Sequence, residues 1–340
     1  MNDVTPTWNP AAAAPPSTGS SSSAGGSDQA HGSPPHTTPP PPPSRSGAGA
    51  LTSTALALGR SVVSRAAASS ALESLKHTAT GVVRAMRTAL GTAGASHLDD
   101  YGKDPALERE LAPLASFFYD RYWRVQVEGA SLLPHGPSII VANHSGAMPY
   151  DGPVLHAAIG RERPELPEAR WLIEDQLFYA PFLGTLLNRI GAVRANPENA
   201  LRLLGEGRPV IVFPEGLQGI SKPFSERYRL MRFGRGGFVK LALRARVPIV
   251  PVAIVGAEET SPLIARLPAK FLGLPWFPVT SPIPLPARWR IRIGEPLQVD
   301  ELSPDGHEDL LLVNRLNERT RETIQGMLES MLKARDGVFV

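Results

Sequence analysis

Three short, continuous apolar runs set the folding problem for this chain: Ser138–Asn143, Pro209–Phe213 and Pro248–Val255. None alternates polar with apolar residues, so each reads as a strand covered on both faces. Such strands belong to parallel sheets held between helices. Four further strands are expected, at Val125–Glu128, Arg170–Glu174, Ala192–Ala195 and the alternating Trp289–Ile293. Helical patterning fills the intervals. Asp104-Pro105 is a capped start for a helix running to about Trp123. Others are expected over Pro153–Ile159, Gln176–Leu187 with a kink at Pro181, Pro197–Leu204, Gly237–Ala245 and Glu308–Ala334. Strands alternating with helices predict an α/β domain over residues 98–340, with a central, mostly parallel seven-stranded sheet flanked by helices.

The rest of the chain has a different composition. Residues 1–50 hold eleven Pro, nine Ser and six Gly with three charged side chains, too few large apolar groups to offset ordering entropy, and read as a disordered tail. Residues 51–97 contain no Pro and set Arg60, Arg65, Lys76, Arg84 and Arg87 against Glu73 alone. They read as a basic amphipathic helical segment, able to lie on an anionic membrane surface or to cover the following domain. Residues 98–340 balance 29 basic against 29 acidic side chains, which argues against a nucleic-acid partner. No apolar stretch reaches the ~18 residues of a spanning helix. The opening Met-Asn-Asp-Val-Thr-Pro lacks a basic and an apolar signal region, so the expected location is peripheral, on the cytoplasmic side of a membrane. With no Cys in the sequence, disulfides, zinc–thiolate sites, iron–sulfur clusters and a thiol nucleophile are excluded.

Three strand ends carry polar groups, and the carboxyl ends of strands are where α/β sheets bind ligands. His144 leaves the first apolar run and Asp151 opens the next helix. A turn rich in small residues can fold that carboxylate onto the imidazole, fixing its tautomer and leaving the other nitrogen as a general base. Asp151 is equally placed as a helix cap ahead of Pro153. Glu215 follows the second run in Phe213-Pro214-Glu215-Gly216, where it can accept from a substrate hydroxyl or orient a basic residue. Arg194 ends Gly191-Ala192-Val193-Arg194, a position from which it can clamp phosphate.

In order and spacing these blocks resemble the glycerolipid acyltransferases, the lysophosphatidic acid and glycerol-3-phosphate acyltransferase family. The matching residues are Asn143-His144…Asp151, Gly191…Arg194, Phe213-Pro214-Glu215-Gly216 and the strand Val247-Pro248-Ile249-Val250-Pro251-Val252, so the resemblance spans about residues 125–300. It implies that His144, oriented by Asp151, deprotonates an acceptor hydroxyl that attacks the thioester of acyl-CoA or acyl-carrier protein. No other cofactor and no covalent acyl-enzyme is implied. Asn143, Arg194, Glu215 and Gly216 are implied to bind the acceptor, a lysophospholipid or glycerol phosphate.

The sequence departs from the family pattern twice. His144 and Asp151 enclose six residues where the family has four, with no other acidic residue before Glu162. Phe-Pro-Glu-Gly continues as Leu217-Gln218-Gly219 in place of Thr-Arg-Ser, losing a basic residue that Lys222, the nearest cation, is expected to replace; Arg229, Arg232 and Arg235 follow. The altered loop keeps open transfer to a neutral acceptor such as diacylglycerol or a long-chain alcohol, and the lengthened His144–Asp151 spacing keeps open a catalytically silent membrane lipid-binding protein. The stretch Phe271–Val279, apolar, aromatic and interrupted by two Pro, reads as an interfacial loop or as a loop on the sheet edge. No phosphate-binding P-loop, Gly-x-Ser-x-Gly elbow or His-Glu-x-x-His pair occurs. His307-Glu308-Asp309 reads as a helix cap.

Overall fold

The computed structural model describes residues 79–88, 97–144, 146–269, 276–281, 283–299 and 306–338. The expected tail and most of the basic segment lie outside these residues. Residues 79–88 of that segment are helical. Arg84 there pairs with Asp104 at 3.2 Å and Glu110 at 2.9 Å, so its charge is directed at the domain.

Helix α1 (Pro105–Ser116) starts as the sequence dictates, with the Asp104 carboxylate accepting from the N–H groups of Ala106 and Leu107 and Pro105 in the first turn. It passes into a π-helical turn over Phe117–Tyr122. Seven strands follow in one sheet: β1 (Gln126–Glu128), β2 (Ile139–Ala142), β3 (Arg170–Ile173), β4 (Ala192–Arg194), β5 (Val210–Val212), β6 (Ile249–Val255) and, late in the chain, β9 (Arg290–Ile293). Their spatial order is β1-β9-β6-β2-β5-β3-β4. Every neighbouring pair is parallel except β6 with β9. The expected sheet is therefore the one observed.

Alternating side chains of the central strands feed two cores. Ile139, Val141, Val210, Val212 and Ile249 pack on one face against Leu203 and Leu204 of α5 (Pro197–Gly205), Phe238 and Val239 of α7 (Gly237–Ala245), and Ile324 and Leu328 of α9 (Leu310–Lys333). Ile140, Ala142, Ile211, Val250 and Val252 face the other way, onto Val154, Leu155, Ala158 and Ile159 of α2 (Asp151–Glu162) and onto Trp123, Trp171 and Trp289. Each such aliphatic side chain is worth roughly 2 kcal/mol on burial. Two single-turn helices, α6 (Leu217–Ile220) and α8 (Ala257–Thr260), fall between these in the chain. Asp309 caps α9 as expected, accepting from Leu311 and Leu312.

Two expectations are corrected. The helix over Gln176–Leu187 does not kink at Pro181; it breaks into α3 (Asp175–Phe178) and α4 (Leu183–Arg189), with Phe182 between them at φ 64°. A proline removes one helical donor and clashes one turn back, which is enough to end so short a helix. The second concerns Phe271–Val279: residues 270–275 lie outside the described residues, but Trp276–Val279 forms strand β8, antiparallel to β7 (Ala265–Pro268). This two-stranded ribbon leaves each strand an unpaired edge, where Pro268 and Pro278 are tolerated.

Candidate active site

Parallel register assembles the site. Ile140, Ile211 and Trp171 lie level across β2, β5 and β3. Three or four residues further along, the adjacent strands release His144, Glu215 and Glu174 at one edge of the sheet. The stalk of His144 is fixed first. Asn143 is fully buried, its amide donating to the Ile254 carbonyl at 3.0 Å and accepting from the Ile254 N–H at 2.7 Å. Asn143 thus ties the end of β2 to β6 and does not line the cavity, which corrects its expected place at the acceptor.

The imidazole of His144 is held on two sides. Its Nδ1 meets Oδ2 of the buried Asp151 at 2.6 Å, and its ring stacks on Phe213 with centroids 4.8 Å apart. Asp151 is the first residue of α2 and Tyr150 occupies the cap position, so the capping alternative is not the one the fold uses. The two extra residues of the loop are absorbed by Ser261. Its hydroxyl accepts from the Met148 N–H at 3.2 Å and its carbonyl from the Ala147 N–H at 2.8 Å. Gly146 makes this approach possible: at φ 80°, a Cβ there would stand 2.4 Å from Ser261 Oγ and 2.9 Å from the Ala257 carbonyl. Burial pulls the His144 pKa down, but Asp151, followed by Glu215 and Glu174, outweighs it and holds the ring above its usual value.

Glu215 is buried and turned away from solvent. Oε1 accepts the His144 main-chain N–H at 2.9 Å and Oε2 the Met231 N–H at 2.7 Å. Lys222, also buried, stands 3.3 Å from Glu215 Oε2 and 3.1 Å from Glu258 Oε1, and donates to the Arg229 carbonyl. Glu258 accepts in addition from Tyr228 N–H. Burial pushes Glu258 up to about 7, against the pull of Lys222 and the Tyr228 N–H. Of the two roles open to Glu215, orienting a basic residue is the one seen. Lys222 is consumed between two carboxylates, so its expected place at the acceptor is corrected too.

Arg194 is the third correction. It makes a bidentate pair with Asp175, Nε to Oδ1 at 2.6 Å and Nη2 to Oδ2 at 2.8 Å, and lies over the Tyr179 ring. A planar fork matched by a carboxylate is already satisfied, and Arg194 does not line the cavity. Arg229, Arg232 and Arg235 are exposed away from it.

A cavity of about 320 Å³ opens beside His144. Its wall is formed by Trp171 and Ile173 of β3, Leu177, Phe182 and Leu183 of the broken helix, Leu217 and Ile220 after the Glu215 turn, and Trp276 of the ribbon. His144, Asp151, Glu174, Gln176 and Gly216 contribute its polar part. A half-buried imidazole backed by a buried carboxylate at the mouth of an apolar cavity can take a proton from a hydroxyl whose alkyl chains lie along that wall. Glu174 and Ser261 were missed by motif reading. The position of Glu174 at the carboxyl end of a strand was the available signal for it; Ser261 carried none. Among the described residues, no helix is long and apolar enough to cross a membrane.

Comparison with known proteins places the chain in a family. The family profile described as Acyltransferase matches residues 124–255. An uncharacterised protein of Mycobacterium tuberculosis is 39% identical over 255 residues, covering 71% of each chain. The chain belongs to the acyltransferase family. Within this family, more distant likeness reaches the DGAT1/2-independent enzyme synthesizing storage lipids of Homo sapiens, 24% identical over 211 residues and 60% of each chain. Among solved structures, the 1-acyl-sn-glycerophosphate acyltransferase PlsC of Thermotoga maritima is similar with a TM-score of 0.42 at 20% identity, covering 68% of this chain and 83% of that one.

Proposed function

We propose that this acyltransferase moves a fatty acyl chain from a thioester, acyl-CoA or acyl-carrier protein, to a hydroxyl of a lipid acceptor. The observation that carries the reading is the 2.6 Å contact of His144 Nδ1 with Asp151 beside the apolar cavity. Nδ1 is engaged by the carboxylate, so Nε2 takes the proton of the acceptor hydroxyl while its oxygen attacks the thioester carbonyl. Collapse of the tetrahedral adduct breaks the carbon–sulfur bond. The departing thiolate takes the proton back from the imidazolium, giving an ester and a free thiol. The reaction needs no cofactor beyond the donor.

The same 2.6 Å contact supports an enzyme over a silent lipid-binding protein. A lysophospholipid or glycerol phosphate is the acceptor that the family resemblance implies, and storage-lipid synthesis is what the name of the human relative describes. We place the chain peripherally on the cytoplasmic face of a membrane. Tyr179, Phe182 and Leu267, exposed on the broken helix and the ribbon whose neighbours Leu183 and Trp276 line the cavity, support that placement. Thiol release from acyl-CoA in the presence of lipid acceptors tests the reaction: wild type turns over and His144→Ala does not. Equal rates in the two would sink it.

A further inference from the structure

The cavity carries an electrostatic signature that the dyad does not require. Among the described residues its wall contains no Lys or Arg. Each cation expected at the acceptor is paired elsewhere, Arg194 with Asp175 and Lys222 with Glu215 and Glu258. The remaining charged group in the wall, beyond His144 and Asp151, is Glu174, and it is acidic.

Glu174 is not accounted for by the fold. It occupies the N-cap position of α3, yet its side chain makes no capping hydrogen bond. It is exposed at the cavity, and among the described residues no hydrogen-bond or ion-pair partner takes up its carboxylate. Its place is made by Gly216, where a Cβ would stand 2.3 Å from Glu174 Oε1. The Pro-Glu-Gly turn therefore keeps its third position bare in front of this carboxylate. Its charge is also felt at the base, contributing to the raised state of His144.

Resting on the acyl-transfer reading above, we propose that Glu174 makes this site select acceptors without a phosphate head: acylglycerols or long-chain alcohols over phosphorylated glycerides. A phosphate monoester carries about −1.5 to −2 charges at neutral pH. To place its neighbouring hydroxyl at His144 it would have to sit against a carboxylate, with no cation in the wall to neutralise it. Like charges brought together in a partly dry site repel strongly, whereas an uncharged glycerol head can donate a hydrogen bond to the same carboxylate.

The test uses the full-length protein, oleoyl-CoA as donor, and 1-oleoylglycerol, oleyl alcohol or 1-oleoyl-lysophosphatidate in the same mixed micelles. Thiol release is measured for wild type, Glu174→Gln and Glu174→Lys, with His144→Ala as the blank. Wild type should favour the uncharged acceptors by about tenfold or more, and Glu174→Lys should lower that ratio by about tenfold, chiefly through the KM of the lysophosphatidate. Glu174→Gln should fall between. A change in His144 basicity alone would scale all acceptors together and leave the ratio unmoved. Preference of wild type for the lysophosphatidate, or a ratio unaltered by Glu174→Lys, overturns the assignment. Absence of His144-dependent thiol release with every acceptor overturns the acyl-transfer reading, and this selection with it.

Discussion

Glu215 Oε1 accepts the main-chain N–H of His144 at 2.9 Å, so the Asn-His turn and the Phe-Pro-Glu-Gly turn, seventy residues apart in sequence, form one unit. On the proposed mechanism Glu215 would act through the seat of the base. Glu215→Gln keeps an acceptor for the His144 N–H but loses the charge facing Lys222. We expect kcat to fall while the KM for acceptor stays near its wild-type value, as for a group outside the cavity wall. A rise in KM with kcat intact would instead place Glu215 at the substrate.

Asp151→Asn tests the dyad. An Asn of the same shape removes the charge that stabilises the imidazolium and that fixes the tautomer. Activity should fall by about 10²–10⁴-fold with the fold retained. Steady-state rates beside a thermal denaturation curve separate the two effects; a loss of less than about threefold would contradict the assignment.

The pH dependence has a definite sign. His144 works as a base only when neutral, and its pKa is raised above the ordinary value of 6.5. The rate should therefore climb with pH along an acid limb centred above 6.5, and that limb should move downward in Asp151→Asn. A limb centred below 6.5 in wild type would show that Asp151 does not outweigh burial.

The buried triad of Glu215, Lys222 and Glu258 should dominate stability near the site. Lys222→Met removes the cation between two buried carboxylates and should cost about 3–5 kcal/mol, read by chemical denaturation. Glu258 behaves differently. Its folded pKa is raised to about 7, so its stabilising contribution is complete below its unfolded value, near 4.5, and is lost as pH rises through 7. Glu258→Gln should therefore flatten the fall in stability across that window.

The three central strands were legible because a strand buried on both faces leaves an unbroken apolar run, and the His144–Asp151 contact because residue order and a small-residue turn limit who can meet His144. The binding residues were less legible. A strand-end position shows that Arg194 leaves the sheet near a site, but not that Asp175, nineteen residues earlier, matches its fork. Lys222 and Asn143 were misplaced for the same reason: pairing partners such as Glu258 and Ile254 are over thirty and over one hundred residues away. Glu174 lay at the end of a correctly placed strand and belonged to no named block. The β8 strand of the ribbon was hidden by Pro275 and Pro278, which argue against an interior strand but not against a ribbon with open edges.

The lengthened loop gives one more measurable consequence. Gly146→Ala would place a methyl group 2.9 Å from the Ala257 carbonyl in a backbone region costly for any other residue, about 1–3 kcal/mol. We expect a loss of activity larger than that of Ser261→Ala, which removes only the acceptor for Met148. Paired assays of the two variants check this ordering.

Asn143 bonds both ways to Ile254, so His144 stands at the end of a fully buried strand tied to its fully buried neighbour. The outer wall of the cavity comes instead from a broken helix and a two-stranded ribbon. If the proposed reading holds, reaction and choice of acceptor fall to separate parts of the chain. On the proposed mechanism, changes at Glu174, the helix break or the ribbon would alter which lipid is accepted without disturbing the seat of His144.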